Sequence, residues 1–169
     1  TRPWDDAARQ LRARIALLHA LEPARWPDVS DAALASTLEH WLGPFLDGMS
    51  RLSQLKNLPL AEALRAQLDY PRQRELDEQA PPRWTVPSGS AISIDYCAEN
   101  GPVLAVKLQE MFGATTTPAV AGGRVPLTLH LLSPAQRPVA VTRNLVTFWQ
   151  QGYPDVRKDL RGRYPKHPW

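Results

Sequence analysis

The 169-residue sequence predicts an α+β fold. A small helical bundle over residues 1–80 precedes a mixed unit over 81–169, read as an antiparallel β-meander with flanking helices. Three observations carry this. In the first half apolar residues recur at three- and four-residue steps, the period of one helix face. Ala80-Pro81-Pro82 then punctuates the chain with two residues that cannot continue a helix. Beyond it, Ile92, Ile94 and Tyr96 alternate with Ser93 and Asp95, the two-residue period of a half-buried strand.

Taken in order, Asp5 and Asp6 open the first helix, their negative charge suiting its N-terminus. Leu11, Ile15 and Leu18 line its buried side, with Arg9, Arg12 and Arg14 expected mostly away from it, and Glu22-Pro23 ends it. Ser30 is the N-cap expected for a second helix, its hydroxyl able to accept an orphan N–H. Asp31 follows in the first turn, and Leu34, Leu38, Trp41 and Leu42 form the stripe before Gly43-Pro44 interrupts. Phe45, Leu46, Met49, Leu52 and Leu55 continue an apolar series through short helical turns. Pro59 suits a first helical position, ahead of Leu60, Leu64 and Leu68 on one face. Tyr70-Pro71 breaks that helix, and Arg72 to Glu78 forms another that shows mainly Leu76 to the core.

In the second half Pro87-Ser88-Gly89-Ser90 is a turn before the Ile92–Tyr96 strand. Asn100-Gly101-Pro102 is expected to start a helix over Val103–Phe112 with Leu104, Leu108, Met111 and Phe112 as its stripe, stopped by Gly113. Lys107 falls among those apolar residues. A stem snorkelling to the edge is the plainer reading of it, and a phosphate contact the sharper one. Thr116–Ala121, a Gly122-Gly123 turn and Arg124–Leu132 read as a β-hairpin. Leu127, Leu129 and Leu131 face one way there, with Val125, while Thr128 and His130 face the other. Pro138–Val141 gives a further strand with Val139 and Val141 inward. Thr142 or Asn144 caps a last helix through Leu145, Phe148 and Trp149.

Composition excludes several classes of function. With 43% hydrophobic and 22% charged residues the chain has material for a packed core and is not broadly disordered. No run of 18 apolar residues and no signal peptide is present, so no membrane partner and a cytoplasmic setting are expected. Cys97 is the single cysteine, which rules out an internal disulfide and a thiolate zinc cluster. His19, His40 and His130 stand apart from any second ligand at metal spacing, so no metal site is assigned. Thr1 in place of a starting methionine fits a fragment or a processed product.

Charge is distributed unevenly. Tyr153–Trp169, YPDVRKDLRGRYPKHPW, holds Arg157, Lys158, Arg161, Arg163 and Lys166 against Asp155 and Asp159, a net +3 that equals the net charge of the whole chain. Pro154 suits a helix start and Gly162 its stop. Val156 and Leu160 share one face of that helix, Asp155 and Asp159 lie to one side, and Arg157, Lys158 and Arg161 spread opposite. The Tyr164-Pro165 and His167-Pro168 pairs favour extended backbone, so the tail is expected to run out as an arm. Cations beside Tyr164, His167 and Trp169 suit phosphates with bases stacked on rings. The same pattern also describes a solvated basic face.

No G-x-x-x-x-G-K-[ST] loop and no Asp-Glu-x-His run occurs, so the chain lacks the parts that cradle phosphates and hold magnesium. Ser88 and Ser90 sit in a turn that precedes a strand, with no G-x-S-x-G, which argues against a nucleophile elbow. Asp95, Glu99 and Glu110 are scattered without pairing for acid–base work. No catalytic residue is assigned, and by itself the chain is a binding or docking module without a cofactor.

Four separated blocks resemble one family. PSGS at Pro87–Ser90, AVKLQEMFG at Ala105–Gly113, GGRVPLTLHLLSP at Gly122–Pro134 and VRKDLRGRYPKHPW at Val156–Trp169 are similar, in this order, to the C-terminal region of bacterial HrpB-type ATP-dependent helicases, relatives of the DEAH-box RNA helicases. The likeness is dense from about Trp84 onward and looser through the helical half. It implies a parent chain that is an ATP-dependent helicase using ATP and magnesium, with motor domains N-terminal to a helical accessory region (1–80) and an HrpB-type C-terminal α+β domain (81–169). The family's ATP-site residues have no counterparts here. The implied partners are the helicase core of the same chain and single-stranded nucleic acid, RNA ahead of DNA.

Two functions of different class are then open. In the first, Arg157, Lys158, Arg161, Arg163 and Lys166 contact phosphates while Tyr164 or Trp169 stacks on a base, with Lys107 as an outlying contact. In the second, the segment is a structural module that docks on the helicase core or a partner protein. Its arginines then pair across that interface and Trp169 anchors in a pocket.

Overall fold

The computed structural model describes residues 5–46 and 60–169, and the chain folds as two compact units, Thr1–Ala80 and Pro81–Trp169. Helices and a mixed sheet make it α+β, as the change of period predicts.

The first unit contains α1 (Asp6–Leu21), α2 (Asp31–Ser36), α3 (Leu38–Trp41), α4 (Gly43–Leu46), α5 (Leu60–Ala66) and α6 (Tyr70–Gln79). Caps set several starts. The Asp5 carboxylate accepts from the Ala8 amide at 2.8 Å, the Ser30 hydroxyl from Ala33 at 3.3 Å and the Asp69 carboxylate from Arg72 at 2.9 Å. Each replaces one N–H partner that a first turn lacks. Pro71 therefore sits in the first turn of α6 rather than merely ending the helix before it. Leu11, Ile15, Leu18, Leu34, Trp41, Leu42, Leu60, Leu64, Leu68 and Leu76 are buried. α1 packs against α5 and α6.

Two expectations fail here. Leu38 is exposed, because the helix breaks at Thr37 and resumes with its faces turned. Arg14 is buried, since α6 supplies partners for its guanidinium. The apolar series through Met49, Leu52 and Leu55, and the start at Pro59, lie outside the described residues.

The second unit is built on a five-stranded sheet, in the order β1 (Arg83–Thr85), β2 (Ala91–Asp95), β3 (Val103–Lys107), β6 (Thr128–Leu132), β7 (Pro138–Thr142). β4 (Ala119–Val120) and β5 (Val125–Pro126) pair by themselves. The neighbours are antiparallel except β3 and β6, which run parallel. The sheet is thus mixed, and the expected meander is corrected to a three-stranded antiparallel set, β1–β2–β3, joined along a parallel seam to the antiparallel pair β6–β7.

The expected helix over Val103–Phe112 is also wrong. Val103–Lys107 is a strand, and only Leu108–Met111 turns, as a 3₁₀ helix. Leu104 and Val106 are buried while Ala105 is exposed, a two-residue alternation on β-branched and aliphatic side chains. Ile94 pairs with Leu104, which pairs with Leu129, and Val106 pairs with Leu131. These rows form the buried face. On β7 Ala140 lies opposite Leu131, and Val141 lies opposite His130 on the other face, 62% exposed. Val141 therefore points outward, contrary to the sequence pattern.

The hairpin is much shorter than expected. Ala121, Gly122 and Gly123 all take left-handed backbone, which glycine adopts without penalty. That tight turn leaves two paired residues per arm before Leu127 leads into β6.

The chain then closes with α7 (Leu145–Thr147), a π-turn segment (Phe148–Gly152) and α8 (Tyr153–Arg163). The Asn144 side chain caps α7 by accepting from the Thr147 amide at 3.0 Å. Among the described residues no helix is long and apolar enough to cross a membrane.

Candidate nucleic-acid interface

The basic stretch is held by an aromatic cluster beneath it. Phe148 and Trp149 from the π-turn segment, Tyr153 from α8 and Phe112 from the end of the 3₁₀ turn meet with ring centroids 5.1–6.2 Å apart. The Trp149 indole donates to the Ala114 carbonyl at 2.9 Å, and the Leu145 amide to the Thr117 hydroxyl at 2.8 Å. Edge-to-face contacts of this kind add to plain area burial. With Leu160 buried and Val156 half-buried, one face of α8 is fixed on the unit. The other is free for charge, in the sense the helical spacing predicts.

The tail departs from expectation. It does not run out as an arm, and Gly162 is not the stop: α8 continues through Gly162 to Arg163 and ends where Tyr164 precedes Pro165. A residue before proline is pushed out of helical backbone, so the second signal overrides the first. The last residues then fold back as a hook. The Trp169 main-chain oxygen accepts from the Tyr153 hydroxyl at 2.8 Å and from Arg157 Nε at 2.6 Å. The Trp169 indole donates to the Tyr164 carbonyl at 2.9 Å, and the Gln109 side-chain amide to the Pro168 carbonyl at 3.1 Å. Burial raises the Tyr153 phenol above its ordinary value, against the opposing pull of Arg157 and Arg161, so it stays a neutral donor.

The structure therefore gathers most of the predicted residues. Arg157, Lys158, Arg161, Arg163 and Lys166 are exposed, the first four along α8. Arg157 and Arg161 line a groove of 340 Å³ with Pro165, His167 and Trp169. On their other side they line one of 270 Å³ with Pro154 and Lys158. Arg163 is drawn to Asp159 at 3.5 Å. Tyr164 and Trp169 are half-buried and already committed to the hook. Lys107 closes β3, and no bond among the described residues ties it to this group.

Sequence reasoning did not separate His167 from its neighbours. It is exposed, its ring lies over Trp169 at 6.2 Å and 11° between planes, and Tyr164 lies 5.8 Å away. The signal was the spacing of three rings about Pro165 and Pro168, which only a folded-back tail brings together.

The surface can bind an anion and offer a ring to stack on. Its residues do not suit ATP with magnesium. The phosphate loop is missing from the sequence, and no three His, Cys, Asp or Glu residues converge among the described residues.

A family model described as ATP-dependent helicase C-terminal matches residues 41–169. The ATP-dependent RNA helicase HrpB of Escherichia coli strain K12 is 48% identical over 167 residues, covering 98% of this chain and 21% of the relative. The crystal structure of the E. coli DExH-box NTPase HrpB superimposes with a TM-score of 0.94 at 48% identity. That of the Escherichia coli DEAH/RHA helicase HrpB does so with 0.82 at 47%. Each pairing covers 98% of this chain and 21% of the solved one. The chain thus spans about a fifth of the length of the relatives it matches. With three quarters of its residues under the family model and a matching fold, this chain belongs to the HrpB-type ATP-dependent helicase C-terminal family.

Proposed function

We propose that this chain is a non-catalytic accessory segment of a cytoplasmic ATP-dependent RNA helicase, and that α8 with its hook extends the path of the single-stranded RNA. Residues 1–80 then serve as a helical accessory region and 81–169 as the C-terminal domain proper. ATP and magnesium act in motor domains elsewhere in the parent chain, the partner on which this segment rests.

One contrast carries the reading. In the first unit most of the described arginines are neutralised internally, Arg74 excepted: Arg12 by Asp31, Arg14 and Arg65 by Asp77, Arg25 and Arg72 by Glu75. On α8 and the hook, Lys158, Arg161 and Lys166 have no carboxylate at ion-pair distance among the described residues, while Arg157 is engaged through Nε by the Trp169 main-chain oxygen. Their charge is left for an outside anion. Because Lys158 and Arg161 stand on a helix whose inner face is anchored, they hold their spacing when one arrives.

Binding of labelled single-stranded RNA and DNA, followed by anisotropy across a salt series, tests this. With about four phosphates neutralised, log K falls with log salt at a slope of about −3, taking ~0.7 for each. Changing Lys158 and Arg161 together to Ala weakens binding and flattens the slope by ~1.4, with the circular dichroism spectrum unchanged. Absence of salt-dependent binding at low ionic strength sinks the proposal. Pull-down against the helicase core then tests the docking reading, in which the same unpaired cations meet acidic residues.

A further inference from the structure

The grooves on either side of Arg157 and Arg161 do not offer the same thing. The one towards Pro154 and Lys158 ends in another cation. The one towards the hook ends in stacked rings, with His167 exposed. The two arginines, one helical turn apart, form the wall between them. From this arrangement we infer that the hook-side groove is a seat for a single nucleotide unit, in which Arg157 and Arg161 hold the phosphate and the base stacks on the exposed face of His167. The inference rests on the single-strand reading and assigns a base contact to a residue that reading does not use.

Three observations support His167 over Tyr164 and Trp169. Both of the others are half-buried and bonded within the hook, Tyr164 through its carbonyl and Trp169 through its indole N–H and main-chain oxygen. The Trp169 ring lies nearly parallel to the imidazole, so two flat rings already stand together, and the imidazole is the exposed one of the pair. Such a platform gains when a third flat ring is added, because each ring covers apolar surface of the next. The prolines on either side of Lys166-His167 limit the backbone, and the Arg157 and Tyr153 bonds to Trp169 fix the end of the hook. The platform is thus set before any ligand binds.

No side chain lining the groove is a carboxylate, and the Trp169 main-chain oxygen is already engaged by Arg157 Nε. Stacking accepts any base, since every base has a flat face. The seat should therefore recognise a nucleotide by having a base, not by which base it has.

The experiment compares two strands of equal length and charge, an oligoadenylate RNA and an abasic phosphodiester strand, on the 169-residue chain, its His167→Ala and His167→Trp variants, and Arg161→Ala. The wild type is expected to bind oligoadenylate about tenfold more tightly than the abasic strand, an effect in the range of one stacked base. His167→Ala should remove most of that margin while leaving the abasic affinity and the salt slope as they were. His167→Trp should restore it. Arg161→Ala should weaken both strands alike and flatten both slopes. Equal binding of the two strands by the wild type, or a margin that survives in His167→Ala, overturns the nucleotide seat and leaves the single-strand reading in place. Binding of neither strand overturns both.

Discussion

Arg14 shows how much one side chain can decide. Its Nε donates to the buried carbonyl of Ala80 at 2.7 Å and its terminal nitrogen to Asp77 at 2.8 Å, while Arg65 reaches the other oxygen of Asp77 at 2.7 Å. The guanidinium thus ties α1 to the end of α6. Arg14→Met keeps the stem but leaves the Ala80 carbonyl without its donor. It should lower stability by about 2 kcal/mol, the range for an orphaned buried group, read from denaturant midpoints. Partial burial alone would raise the Asp77 carboxyl, but hydrogen bonds from Arg65 and Arg14 bring it below its ordinary value of 3.8. Folding therefore favours the carboxylate. That stabilisation is complete above the unfolded value and is lost as pH falls through the lower folded one. The stability gap between wild type and Asp77→Asn should accordingly be full at pH 6 and close towards pH 2–3. A gap that widens in acid contradicts the assignment. Much at this level was readable beforehand. Asp5, Ser30 and Asn144 cap as their side chains suggest, because capping is local. Arg14 was not, because its partners lie more than sixty residues along the chain.

Among the elements, α8 depends on the π-turn segment that feeds it. An extra residue in the helical ladder re-aims the turns after it, and here Tyr153 comes to face the hook. Gly152 makes this possible. A Cβ there would meet Phe148 Cδ1 at 2.9 Å, and that ring is buried against Trp149 and Tyr153. Gly162, in the same helix, has open space around it and lacks left-handed backbone. The two glycines should therefore respond oppositely. Gly162→Ala gains ~0.5 kcal/mol from helix propensity. Gly152→Ala loses about 1–2 kcal/mol, because overpacking exceeds that gain. Thermal midpoints of the pair decide it, and a rise in both would mean that the Phe148 ring yields freely. The mistaken helix at Val103–Phe112 belongs here too. Leu104, Leu108 and Met111 fit the helical period as well as Leu104 and Val106 fit that of a strand. The choice is made by β6, some twenty residues further on, which lies in parallel register with β3 along all five of its residues. Period alone cannot see a distant strand.

For the whole molecule, two boundaries disagree, and the disagreement has consequences. The family match begins at residue 41, within the first structural unit, whereas the compact units divide between Ala80 and Pro81. A fragment of residues 41–169 keeps α5 and α6 but discards α1, which packs on both and buries Leu11, Ile15 and Leu18 there. Ala63, Leu64 and Leu76, fully buried in the chain, would lose that cover. A fragment of 81–169 keeps the buried side chains of its own unit together. Leu104, Val106, Leu127, Leu129, Leu131, Leu145 and Leu160 all lie within it, and so do the hydrogen bonds of the hook. The shorter fragment should thus be the better behaved of the two. Residues 81–169 should unfold in one cooperative transition with a heat-capacity change of about 1.2 kcal/mol/K, as for a domain of roughly that size, and should not bind a dye for exposed apolar surface. Residues 41–169 should bind the dye and self-associate by analytical ultracentrifugation, since apolar surface left uncovered seeks another copy. If instead 81–169 binds the dye and 41–169 does not, the core of the second unit needs α5 and α6, and the division at Ala80 does not mark where folding is independent.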